Sequence, residues 1–353
     1  MQLVETDKHS SNLNSPPSVC EVLLYAIIPF LLIAAGAMPA TAIVILPITL
    51  PLLYLLYKRF GPYLPLGCIA VYGVLALSLN YDILTVIYCV TLFFAFCGLA
   101  VCMQFLPAQY LLAAAVAVVF AVVGAFVGVG IVRGAEGVPV GDIAARYVVA
   151  ERADPVISYL ARDYYDGEKP QPDEVKLKPT DVGYADAAIK SLSEWAKDDF
   201  DTYTWYYCIH CGALLGLVGF FIATGLNGKV SGRGNSRFTA KIGSMRLPRS
   251  FLWTMALPAT VTGLLLGFFG GYEALSATVM HAFCTLPSAF GCYTLLGYFA
   301  SLFRGKARVA AYIVFGIIGV VAVLFPFASF ILSIFGVCDC ILNLRYWTEY
   351  IRS

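Results

Sequence analysis

Apolar residues along this chain come in long runs, separated by short polar connections and, once, by the polar stretch 133–203. Runs near 22–36, 41–57, 64–79, 83–103 and 110–132 precede that stretch, and runs near 204–226, 250–271, 275–302 and 309–344 follow it. Most approach the ~20 residues that cross a ~30 Å hydrocarbon core at ~1.5 Å per residue. Val309 to Cys338 holds no charge and would be ~45 Å long as one helix, and Pro326 offers a break. The predicted fold is all-α: a polytopic membrane helix bundle of ten transmembrane spans, or nine if 309–344 is one tilted helix. Pro47 and Pro51 predict a kinked or partly unwound second span.

Flanking charge gives the direction. Residues 227–249 carry Lys229, Arg233, Arg237, Lys241, Arg246 and Arg249 and no acid, whereas 133–203 hold nine Lys/Arg against fifteen Asp/Glu. Cytoplasmic loops concentrate Lys and Arg, so the basic loop is expected inside and the acidic stretch outside. Tyr203, Trp205, Tyr206 and Tyr207 then mark the outer headgroup boundary of span six. The same count puts Lys58, Arg59, Arg304, Lys306 and Arg308 inside and the turn Asn80, Tyr81, Asp82 outside. Both termini are expected in the cytoplasm, and the compartment is the inner (plasma) membrane. An Ala-rich stretch after the first run imitates a signal-peptidase site. Glu5 and Asp7 outweigh Lys8 and further spans follow, so the first run is expected to stay as a span.

The chain therefore divides into a disordered cytoplasmic tail (1–20), a first membrane bundle of five spans (21–132), an outer acidic helical insert (133–203), a second bundle (204–345) and a cytoplasmic tail (346–353). Within the insert, 142–165 and 181–200 each repeat apolar residues at helical spacing, and the polar segment between them holds three prolines. This predicts an extracytoplasmic helical hairpin over the outer mouth of the bundle. It is too small to bury a core by itself.

Small residues recur every fourth position in three spans. Ala113, Ala117, Ala121 and Ala125 do so in span five, Gly212 and Gly216 in span six, and Gly263, Gly267 and Gly271 in span seven. Such stripes let backbones approach, so these three helices are expected to form a close-packed bundle; the alternative is a docking stripe for a partner subunit.

Composition agrees with a membrane protein: 60% of residues are hydrophobic and 13% charged, against ~25% charged in soluble domains. Net charge +1 is split by side of the membrane, and no basic patch supports nucleic-acid binding. Most of the eleven cysteines sit singly in apolar runs, which suits packing better than a disulfide framework. The basic Gly-rich loop around 228–234 reads as a flexible connector facing anionic lipid.

Motifs for chemistry are scarce. His-Glu-x-x-His, Gly-x-Ser-x-Gly and a phosphate loop are all missing from the sequence, so neither an enzyme nor a cofactor is expected. Thiols and tyrosines aside, the spans hold only His210, His281 and Asp339 as ionisable groups, too few for a proton path. Asp339 lies one turn from Asn343, and a buried carboxylate needs a partner; Arg345 or an arginine of the inner loop would make it a structural lock. Counting from the outer boundary, Cys208, His210 and Cys211 on span six and His281 and Cys284 on span eight share a depth of ~6–14 Å. With Glu273 at the rim, they are candidates for an outer-facing pocket that binds a polar ligand group or a soft metal ion.

One further pattern carries a resemblance. Phe251, Trp253, Leu257 and Pro258 open a late span, and Gly336, Asp339, Asn343 and Arg345 close the last one. In these motifs, in span order and in an outer insert before the sixth span, residues 20–345 resemble the YybS-like family of predicted bacterial membrane proteins. The cysteines around Asp339 and the long acidic insert depart from that pattern. The family is distantly similar to the substrate-capture subunits of energy-coupling-factor vitamin transporters. The resemblance implies small-molecule transport or substrate capture, with a transporter coupling subunit as partner. The other expected function is a non-transporting membrane scaffold that binds another envelope protein.

Overall fold

A computed structural model describes residues 19–37, 39–78, 84–105, 110–167, 176–230, 247–324 and 326–346. Most of both expected tails, the turn at 80–82 and the basic loop 231–246 lie outside these residues. Among the described residues the chain is all-helical, without a strand. Five helices come first: α1 (Val19–Ala37), α2 (Pro39–Phe60), α3 (Tyr63–Ser78), α4 (Leu84–Phe105) and α5 (Tyr110–Glu136). Two helices of the insert follow, α6 (Val140–Ala150) and α7 (Pro155–Gly167), and then α8 (Tyr184–Val230). A π-helical turn, Leu252–Ala256, leads into α9 (Leu257–Phe268); α10 (Glu273–Met280) passes through a second, His281–Thr285, into α11 (Leu286–Leu302). Last come α12 (Gly305–Leu324) and α13 (Pro326–Leu342).

Three stretches, Thr85–Met103, Leu112–Glu136 and Glu273–Leu302, are long and apolar enough to cross a membrane. Helix α5 shows what surrounds them. Its alanine stripe at 113, 117, 121 and 125 is buried, while Val119, Val123, Val127 and Ile131 form a second stripe that is exposed. Branched apolar side chains in an exposed row suit lipid, because a water-facing helix would carry polar groups there. Of the two expectations for the second span, unwinding is not seen: α2 is helical with Pro47 and Pro51 inside it, and Leu50 and Leu53 on the same helix are fully buried. Thr49 donates its hydroxyl to the Ile45 carbonyl at 2.9 Å, which adds a bond to the backbone beside the prolines.

The small-residue stripes join α5 to α8 as expected. A Cβ added at Gly212 would stand 2.6 Å from Val122 Cα, and one at Gly216 2.8 Å from both the Ala117 oxygen and Val118 Cα. Gly124 and Gly128 serve α4 in the same way, against Thr91 and Ile87. The third stripe behaves differently. Gly263 faces Met280 and Gly267 faces Ser276, both on α10, so this stripe packs α9 on α10 and not on the α5–α8 pair. Gly271 packs on nothing; it turns the chain between α9 and α10 at φ +80°, a conformation that a Cβ disfavours. The tightest crossing was not foreseen: at Gly336, α13 lies so close to α11 that a Cβ would collide with the Ser288 carbonyl.

The insert is also corrected. The helix expected over 142–165 breaks at 151–154, where Asp154 Oδ1 accepts from the backbone N–H groups of Val156 (2.7 Å) and Ile157 (3.2 Å), and Pro155 takes the first helical position. The second expected helix is the upper part of α8, which kinks at Tyr203 (φ −111°, ψ 17°) where it passes into the apolar run 204–226. The hairpin is therefore three helical segments, and it does bury a core. Ala144 and Val148 of α6 and Ala161 of α7 close over Ala188, Leu192 and Ala196 of α8. Its base is pinned by Gly141 N–H donating to Asp201 Oδ1 (2.8 Å) and by Lys197 paired with Asp142 (2.7 Å). The hydrogen bond and charge of Asp142 hold the Lys197 ammonium above the usual lysine pKa.

Candidate functional site

Helix α8 carries the candidate residues on two different faces. On one, His210 Nδ1 and His281 Nε2 are 2.8 Å apart, a hydrogen bond between two buried rings. Tyr206, one turn before His210, packs its ring 4.3 Å from that of His281. The two stretches that carry these histidines therefore meet. His281 opens the π-helical turn that precedes Leu286 and Pro287. Proline cannot donate to the carbonyl one turn back, and a wider turn accommodates its ring. The turn before Leu257 and Pro258 is built in the same way.

The remaining candidates do not join the histidines. Cys208 and Cys211 line a cavity together with Thr204 and Tyr207 of α8. Cys284 accepts from the Thr260 hydroxyl at 3.7 Å. Glu273 is exposed, and its carboxylate accepts from the Gly271 N–H at 3.2 Å, which closes the turn at the rim. Among the described residues no group of three or more His, Cys, Asp or Glu converges as a metal-ligand set. The geometry is that of a polar zipper between two helices beside a separate apolar cavity.

That cavity, with about 180 Å³ of free space, lies where α2, α4, α5 and the first turn of α6 meet α8. Leu46, Ile87, Ala125, Val129, Phe200 and Leu215 supply most of its wall. Three of its hydroxyls are engaged elsewhere. Thr91 donates to the Ile87 carbonyl (2.6 Å), Thr204 to the Phe200 carbonyl and Tyr207 to the Asp199 carboxylate. A mostly apolar cavity with these three hydroxyls already bonded favours hydrocarbon over a polar ligand. Sequence reasoning missed it because its wall is assembled from helices far apart in the chain.

At the other end of the bundle the expected lock is present with a different anchorage. Arg345 Nε bonds Asp339 Oδ2 at 3.2 Å, and both side chains are buried. Asn343, at φ +54°, ends the helix by donating its N–H to the Asp339 carbonyl (3.0 Å), and this reversal brings Arg345 back over Asp339. The guanidinium also donates to Thr294 Oγ1 at 2.9 Å and lies 5.7 Å over the Tyr298 ring. The lock thus ties the last helix to α11. The thiol of Cys340 reaches the Pro248 carbonyl at 3.5 Å.

No family model matches the chain, and no curated protein or solved structure matches it.

Proposed function

We propose that this chain is a ten-span plasma-membrane protein that captures an apolar or amphipathic small molecule at its outer face. The cavity beneath the insert carries the reading: it is a half-open recess between α2, α4, α5 and α8, lined mostly by hydrocarbon, with Val140 and Phe200 at the base of the insert in its wall. A ligand there is held by burial of apolar surface, at roughly 25 cal/mol per Å². In this reading both termini and the basic loop 227–249 lie inside, and the insert stands outside. The likeness to the YybS-like family, and through it to substrate-capture subunits, supports the class and gives a transporter coupling subunit as the inner partner.

The scaffold reading has less to rest on. Its docking surface would be the small-residue stripes, and Ala113, Ala117, Ala121, Gly212 and Gly216 are already covered by helices of the same chain. The test is purification in mild detergent followed by extraction and mass analysis. Wild-type protein is expected to release an apolar small molecule, and Ala125→Leu, which fills the cavity, to lose most of it. A stoichiometric protein partner with no small molecule would support the scaffold instead.

A further inference from the structure

A second recess lies on the insert, where α7 crosses the start of α8, with about 260 Å³ of space. Alanines make it. Ala161 and Ala188 are buried and, with Ala185, leave a low apolar floor between the two helices. Longer side chains form the walls: Arg152 from the turn before α7, Arg162 and Ser158 from α7, and Asp186 from the first turn of α8. Among the described residues neither guanidinium has a carboxylate within ion-pair distance.

The electrostatics favour one end of a ligand being anionic. Two helices of 13 and 47 residues begin at this recess, and a helix start carries roughly half a positive charge. Asp154 already accepts the first N–H groups of α7, so the guanidiniums are left to meet an incoming anion. Asp186 stands in the same wall and opposes a bare anion unless the ligand also brings a cation. The floor is apolar. From Asp186 to the kink at Tyr203 the helix rises ~25 Å, so the recess lies well separated along α8 from the apolar run that follows the kink.

We propose that this recess binds a free aliphatic α-amino acid, its carboxylate on Arg152 and Arg162, its ammonium on Asp186 and its side chain on the alanine floor. The site is distinct from the membrane cavity and stands whether or not that cavity takes a ligand. Calorimetric titration of the full-length protein in detergent with L-leucine tests it, with acetate, butylamine and inorganic phosphate as comparison probes. L-Leucine is expected to bind, and Arg162→Gln and Asp186→Asn each to weaken it by about tenfold or more, the worth of one charge-assisted hydrogen bond. Arg146→Gln, which alters an exposed pair with Glu136 outside the recess, should leave it unchanged. Thermal unfolding of each ligand-free variant establishes that it is folded, and either recess variant alone suffices. Absence of L-leucine binding, equal binding by the folded recess variants, or acetate or phosphate binding as tightly as L-leucine would overturn the proposal.

Discussion

At the scale of single residues, helical angle decided which candidates meet. His210 and His281 could be paired from the sequence because depth alone brings them level, and they are in hydrogen-bond contact. Cys208 and Cys211 could not be separated from them by depth. On a helix of 3.6 residues per turn they stand ~200° and ~100° from His210, and they face the cavity. Cys284, level with His281 in depth, reaches Thr260 instead, because residues three apart do not share a face where the turn is π-helical. Asp339 was legible because a carboxylate in an apolar run demands a partner; that the chain reverses at Asn343 to supply Arg345 was not. Removing one member of a buried ion pair costs about 3–5 kcal/mol. Asp339→Asn is therefore expected to lower the unfolding temperature in detergent markedly, and Asp339→Leu combined with Arg345→Leu to recover part of the loss. An unchanged melting curve for Asp339→Asn would show that the pair contributes nothing.

Elements were legible where the apolar pattern was long and misjudged where one segment passes into another. Apolar runs read from hydropathy coincide with helices α1–α5, the lower part of α8 and α9–α13 in place and order, and three of these stretches are long and apolar enough to cross a membrane. The join between the insert and the apolar run was hidden because the acidic upper part and apolar lower part of α8 differ in composition, while the two helices meet with no loop between them, only a kink at Tyr203. Packing partners were half legible: a small-residue stripe announces a close approach without saying to which helix. Gly336 illustrates the cost of that ambiguity, since its neighbour is the Ser288 backbone forty-eight positions earlier in the sequence. Gly336→Ala must push α13 off α11 and is expected to destabilise by about 1–3 kcal/mol. Gly130→Ala, on α5 with nothing within 4 Å of the added carbon, should be neutral or stabilise by about 0.5–1 kcal/mol. Thermal melts of the two variants in one detergent compare them directly, and equal effects would contradict the packing described.

At the scale of the whole molecule, the proposed arrangement in the bilayer rests on the exposed apolar rows and the charged flanks. A single thiol placed at position 170 is expected to react with a membrane-impermeant maleimide from outside intact cells and one at position 235 only after permeabilisation; the reverse would invert every span. Within that frame α8 is central, with the histidine pair on one side, the apolar cavity on another and the insert as its outward continuation. The account stands or falls on what fills that cavity. A cryo-electron microscopy map of the wild-type protein in nanodiscs of native lipid measures it most directly. Elongated density beside Ala125 and Cys211, absent from the map of Ala125→Leu, is the predicted result; a cavity that is empty or closed in the wild-type map would contradict it.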